Sequence, residues 1–130
     1  MERRLVSSGS PYEPVVGYSR AVAVGDRVFV AGCAPIMPNG AAPPADAYGQ
    51  ARRCLEIVEQ ALTQAEASLV DVVRTRVYLT RVEDFEEVGR AHGEAFSEIR
   101  PANTTVVVKA LVDPRWRVEI EVEAVVTARA

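Results

Sequence analysis

Apolar and polar residues alternate with period two in several places along this chain. The clearest case is near the C-terminal end, where Val118, Ile120, Val122 and Ala124 interleave with Glu119, Glu121 and Glu123. One apolar face and one carboxylate face predict a half-buried strand over 117–126. Thr104 to Val108 are all β-branched, which favours an extended backbone, and Asp113-Pro114 marks the turn between these two strands. Over 72–79, Val73, Thr75, Val77 and Leu79 form one face, and Arg74, Arg76 and Tyr78 the other. Two further strands, 18–24 and 27–31, flank Gly25-Asp26, a pair that fits a type II′ hairpin turn. Arg3 to Ser7 reads as a short edge strand.

Elsewhere the period lengthens to that of a helix. Ala47, Ala51, Cys54, Leu55, Val58, Ala61, Leu62 and Ala65 form one stripe and predict a helix over 46–67. Asp46 stands at its N-cap, and Gly49 weakens its first turn. Phe85, Val88, His92, Ala95, Phe96 and Ile99 share a face of a second helix over 83–99, which Pro101 terminates. Residues 8–11 and 33–45 read as loops by composition. The order β-β-β-α-β-α-β-β predicts an α+β fold in which two helices cover one face of a six-stranded mixed sheet. The strand 72–79 is expected beside 117–126, so that Arg74 and Arg76 offset the glutamate row. The uncovered face then carries those charges together with Val72, Tyr78 and the valines after Asn103. Apolar groups on such a face predict burial against a second copy of the chain.

The length of 130 residues fits a single domain, 1–130. A net charge of −3 and the lack of a basic stripe argue against nucleic acid as a partner. The N-terminal residues show no apolar core of a signal peptide, and no apolar run approaches the ~20 residues that span a bilayer. A cytoplasmic protein without membrane contact is expected, with Cys33 and Cys54 as free thiols. One histidine and no Cys-x-x-Cys exclude the common zinc arrangements, so no metal is expected. A Gly-rich phosphate loop and the G-x-S-x-G of serine hydrolases are both missing.

The chain resembles the reactive intermediate deaminases, also called the RidA or YjgF family. The resemblance rests on G-Y-S-R-A-V at 17–22, V-A-G-C-A-P at 30–35, Q-A-R-R-C-L at 50–55, V-Y-L at 77–79, D-F at 84–85, E-A-F at 94–96, R-P-A-N-T-T at 100–105 and V-E-I-E at 118–121. No single piece is specific; their order and spacing are. The resemblance implies a chorismate-mutase-like fold and a homotrimer, with the sheets forming a central barrel and ligand clefts between subunits. It also implies cofactor-free hydrolysis of enamines and imines, such as 2-aminoacrylate, to 2-oxo acids and ammonia.

Carried over by position, the family pattern places substrate contacts at Tyr18, at the backbone of Gly32 and Cys33, and at Thr105. It places a water-holding glutamate at Glu119, with Glu121 as the alternative and Phe85 and His92 as further candidates. An imine carbon is already electrophilic, so the site must fix the substrate, hold a water and offer a carboxylate to that water. The pattern breaks at Asn103. The deaminating relatives carry an arginine there, which grips the substrate carboxylate in a charge-assisted fork. Losing such a contact costs about 2–5 kcal/mol, roughly 30-fold to several thousand-fold in affinity. An unusual, uncharged ligand is therefore expected, unless Lys109 or Arg115 supplies the missing charge. Each candidate also has a plainer role. Asn103 fits a turn. Glu119 fits a solvated or Arg-paired strand face. Cys33 fits a small half-buried residue, and His92 a satisfied interior imidazole. Three functions follow: an imine or enamine hydrolase that departs from the 2-imino-acid type, a non-catalytic small-molecule binding or sensing protein, or, least supported, an endoribonuclease.

Overall fold

The structure is a computed structural model and describes residues 2–127. Six strands form one sheet: β1 (Arg3–Val6), β2 (Ala21–Val24), β3 (Arg27–Cys33), β4 (Val72–Leu79), β5 (Ala102–Val107) and β6 (Val118–Val125). Their order is β1-β2-β3-β6-β4-β5. All pairs are antiparallel except β4–β5, which is parallel and joined across the second helix. The helices α1 (Ala47–Gln64) and α2 (Phe85–Phe96) cover one face. The α+β architecture predicted from periodicity is the one observed, and β4 does lie beside β6.

β6 is the centre of this arrangement. Val118, Ile120, Val122 and Ala124 are all 2% exposed or less and face the helices. Cys54, Val58 and Leu62 of α1 pack in the same core. On the open face, Arg74 Nε lies 3.4 Å from Glu123 and Arg76 Nη1 lies 3.4 Å from Glu121, as the cross-strand argument requires.

The faces of β4 differ from the predicted alternation at one point. Val72, not Val73, is buried, and Val73 is about half exposed. The register with β6 shifts between Val72 and Arg74, so one extra residue is accommodated and the alternation slips. Val72 therefore leaves the uncovered face, to which the sequence assigned it. Strict period two does not reveal a bulge in advance.

Several ends are set by local chemistry. Asp46 accepts a hydrogen bond from Gly49 N at 3.0 Å. Glycine has a steric reason to be there, because a Cβ would lie 2.8 Å from Asp46 Oδ1 and 2.9 Å from Pro44 Cβ. Gly25 has φ +59° in the tight turn between β2 and β3, as a type II′ hairpin demands. α2 ends with Arg100 in the left-handed region (φ +57°), its N–H bonded to Phe96 O, directly before Pro101. Residues 13–17, not assigned from sequence, form a single π-helical turn that ends at Gly17 with φ +90°.

A polar tie that periodicity could not show joins α1, α2 and β6. Gln50, 2% exposed, accepts from Arg117 N at 2.7 Å and donates to Pro44 O and Arg115 O. Asp84, also 2% exposed, receives both Nε and Nη2 of Arg117. Burial alone would raise the Asp84 pKa, but the bonds from Arg117 and Arg81 more than offset it, so the pKa is lowered from 3.8. Its stabilisation is complete above that ordinary value and is lost as pH falls through the depressed one. Truncating one partner of a buried pair leaves the other uncompensated. Asp84→Ala is expected to lower unfolding stability by about 3 kcal/mol, seen as a lower urea midpoint at unchanged slope. The double variant Asp84→Ala/Arg117→Met is expected to lose less than the two single losses combined.

Candidate functional site

The expected site residues fall into two clusters, one on each face of the sheet. The first lies where β2, β3 and β6 meet. Glu119 on β6 projects from the open face and is half buried. Its carboxylate rests directly over Gly32, where any Cβ would overlap Glu119 Oε2. That contact explains the glycine. Gly32 sits in a register shift of β3 against β6, between Val30 and Cys33, which bends the strand end and frees its carbonyls.

Arg20 takes up those carbonyls. Its Nη1 donates to Gly32 O at 2.7 Å and to Ala31 O at 3.4 Å, and lies 3.4 Å from Cys33 Sγ. Arg20 is only 8% exposed, and its guanidinium carbon lies 5.7 Å from the Tyr18 ring centroid. Its Nε is the one buried side-chain nitrogen or oxygen among the described residues without a hydrogen-bond partner in the chain. Tyr18 is brought here by the π-helical turn before it. Glu13, 5% exposed, accepts from the Ser8 N–H and hydroxyl, and its own carbonyl accepts from Tyr18 N at 3.0 Å. Neither Arg20 nor Glu13 was singled out from sequence. The one available signal was charge among alternating apolar residues at the start of a strand.

The electrostatics separate the two candidate glutamates. Glu121 is held by the Tyr78 hydroxyl and by Arg76. It is part of the charge balance of the sheet. Glu119 makes no hydrogen bond or ion pair among the described residues. Burial raises its pKa from 4.5, Arg20 partly offsets this, and Glu121 adds to it. Cys33 is 1% exposed, on the helix side of the sheet, more buried than expected. Burial also raises its thiol pKa, with Arg20 opposing, which disfavours the nucleophilic thiolate.

The second cluster lies on the helix side at the other end of the sheet. Asn103 and Thr105 on β5 stand opposite Thr75 and Val77 of β4. Asn103 Nδ2 donates to Thr75 Oγ1 at 2.9 Å, and Thr105 Oγ1 donates to Asn103 Oδ1 at 3.0 Å. Thr75, fully buried, also meets His92 Nε2 from α2 at 2.8 Å. His92 stacks obliquely on Phe96, and burial lowers its pKa from 6.5. Thr75 was read as a core position; its hydroxyl makes it the hub of this network. A groove of about 480 Å³ opens beside the cluster, lined by His92, Gly93, Phe96, Ser97, Arg100 and Pro101. Phe85, at the start of α2, is 56% exposed and touches neither cluster through any ring contact. Arg115 is occupied by Asp113 at 2.8 Å, which holds that carboxyl down at about 2. It is not the spare cation the sequence suggested.

Glu119 predicts a pH signature of its own. A carboxylate whose native pKa is raised penalises the folded state once pH climbs above the unfolded value near 4.5. Glu119→Gln is therefore expected to be more stable than the parent at pH 7, with the advantage vanishing below pH 4. Gly32→Ala is expected to push the carboxylate outward and return its pKa toward 4.5, with little change in stability; carboxyl carbon NMR titration reads both effects.

Comparison with known proteins follows the same lines. The family profile described as endoribonuclease L-PSP matches residues 9–126. A RutC family protein of Pyrococcus abyssi is 36% identical over 126 residues, covering 96% of this chain and 97% of that one. TdcF of Escherichia coli, named a putative reactive intermediate deaminase, is 30% identical over 116 residues, 87% of this chain and 88% of its own. The crystal structure of TdcF with bound serine superposes with a TM-score of 0.80, covering 95% of this chain and 94% of that one, at 29% identity. The crystal structure of Rv2704 from Mycobacterium tuberculosis, described as a YjgF/YER057c/UK114 family member, superposes with a TM-score of 0.89 at 46% identity, covering 96% of this chain and all of that one. The profile match, the sequence identities and the shared fold lead to one conclusion: the chain belongs to the YjgF family of reactive-intermediate-deaminase-like proteins.

Proposed function

We propose that this protein hydrolyses the C=N bond of a small imine, or of the enamine that tautomerises to it, at a cleft between subunits of a homotrimer. The observation that carries this reading is Glu119. It is a half-buried carboxylate without a side-chain hydrogen-bond partner among the described residues, held over Gly32 beside a buried arginine. A solvated or ion-paired glutamate, such as Glu121 or Glu123, has no comparable reason to be left open.

The chemistry asks little more. Glu119 orders a water against the imine carbon and accepts its proton as the C–O bond forms and the C=N electrons move to nitrogen. Glu119 returns that proton to the nitrogen, which gives the neutral carbinolamine; it then takes the hydroxyl proton as the carbonyl forms and delivers it to nitrogen as the C–N bond breaks, releasing ammonia. The net change is imine plus water to carbonyl plus ammonia. A raised carboxyl pKa suits a group that must take and return a proton. Gly32 lies under the carboxylate and Tyr18 beside Arg20, and in this reading the two orient the substrate. No step calls for a cofactor.

Two copies are needed because Asn103 and Glu119 lie on opposite faces of the sheet. Their strands are also separated by β4, about 10 Å between β5 and β6. One chain cannot bring both to one small ligand. The exposed Val106 and Val107 on β5, Phe29 on β3, and Val15 and Val16 in the π-helical turn offer apolar surface for such contacts. The naming of TdcF as a putative reactive intermediate deaminase supports this reaction class, while Asn103 argues for a substrate other than a common 2-imino acid.

Light scattering is expected to give about 42 kDa, three chains of 14.1 kDa. With 2-iminopropionate generated in place by an amino-acid oxidase, the parent chain is expected to be slower than arginine-bearing relatives, and Asn103→Arg to be faster than the parent. Glu119→Gln is expected to lower any turnover by about 10²–10⁴-fold. A monomer, or full activity in Glu119→Gln, would sink the proposal; binding of an imine analogue without turnover would favour the sensing alternative.

A further inference from the structure

The row His92–Thr75–Asn103–Thr105 has a direction, and hydrogen-bond accounting fixes it. Thr105 gives its hydroxyl proton to Asn103 Oδ1, and Asn103 Nδ2 donates to Thr75 Oγ1. The Thr75 oxygen is thus an acceptor for the amide, and its own proton is directed at His92 Nε2, 2.8 Å away. A buried hydroxyl proton without an acceptor costs free energy, and His92 Nε2 is the acceptor in range among the described residues, which assigns the ring proton to Nδ1. Thr75 is fully buried, which removes water as an alternative partner for its hydroxyl. All four side chains point the same way, from Thr105 at the sheet edge inward to the imidazole.

That direction determines what the rim offers. The outward side of Asn103 is exposed. It presents one remaining N–H and the second lone pair of Oδ1. Thr105, its proton already committed, adds another acceptor. The rim is rich in acceptors and poor in donors. A carboxylate, which only accepts, would meet two oxygen lone pairs there. A primary carboxamide meets its complement: its NH₂ donates to Asn103 Oδ1 and Thr105 Oγ1, and its carbonyl accepts from Asn103 Nδ2. Were the row reversed, with His92 donating from Nε2, Thr105 would present its hydroxyl proton outward and the same rim would suit an anion.

We propose that His92 and Thr75 are positioning residues that lock Asn103, and that the locked amide selects a ligand bearing a neutral carboxamide where a carboxylate would otherwise stand. This rests on the cleft reading above and names the substrate class for it. The locked rotamer also saves the entropy of ordering Asn103 on binding. Arg100 is the charged residue lining the groove beside His92, and it is the competing anchor for an anion.

His92 is the sole histidine, so the parent protein reports on the row directly. Long-range ¹H–¹⁵N spectra at pH 8 are expected to show the Nδ1–H tautomer, and Thr75→Val to lose it. An Nε2–H tautomer in the parent would overturn the proposal while leaving the Glu119 reaction and the trimer untouched. Pyruvamide and pyruvate are then titrated into the same protein. The amide is expected to bind at least about tenfold more tightly, equivalent to about 1.4 kcal/mol, with the ratio falling toward one in Thr75→Val and in His92→Phe. Equal affinities, binding of neither, or a pyruvate preference removed by Arg100→Gln would each overturn it. A loss of turnover in Glu119→Gln with the amide preference retained would support both readings independently.

Discussion

The structure depends on how β6 divides its residues between two environments. Four apolar side chains are driven from water against α1, and each is close to fully buried. At about 1.5–3 kcal/mol per buried aliphatic chain, this is the largest single contribution a strand of that length makes. The same alternation forces three glutamates onto the opposite face, where like charges in a row would repel. Arg74, Arg76 and Tyr78 on β4 answer two of them. The third, Glu119, stands opposite Tyr78, whose hydroxyl is given to Glu121 instead, and it rests above a glycine. The open carboxylate is thus a by-product of the pairing that holds the sheet together.

Arg20 shows how a local irregularity shapes the surroundings of Glu119. The register shift in β3 frees carbonyls that a regular ladder would have used. A buried guanidinium satisfies them and in doing so places a cation near Glu119, enough to oppose, but not cancel, the effect of burial. The strand defect, the cation and the open carboxylate form one unit. Removing the irregularity would leave Arg20 with no reason to be buried.

The layered architecture was legible because burial imposes period on sequence: the stripe Ala47 to Ala65 and the alternation Val118 to Ala124 each describe a face in contact with the core. The hairpin at Gly25-Asp26 and the cap at Asp46 were legible because their chemistry is local. The Val72/Val73 exchange was not, since a bulge inserts one residue without a compositional mark. Gln50, Asp84, Arg117 and Arg20 escaped for another reason. A polar residue in the core is explained only by its partner, and those partners lie far along the chain. Glu119 and Asn103 were named through family resemblance; the face of Glu119 followed from the alternation of its strand, but that of Asn103, and so their separation within one chain, required the coordinates. Thr75 was hidden by its own neighbours, a hydroxyl passing for one more β-branched core residue.

The strand that completes the sheet is the last one along the chain. Val30 of β3 pairs with Val122, and β4 also waits for β6 before it has a neighbour on that side. The hairpin β2–β3 and the unit β4–α2–β5 can form early because their contacts are near in sequence. Their union cannot, since it requires closing a long loop before any of its contacts are gained. Assembly therefore turns on a single late insertion, and until it occurs two half-sheets stand with open inner edges.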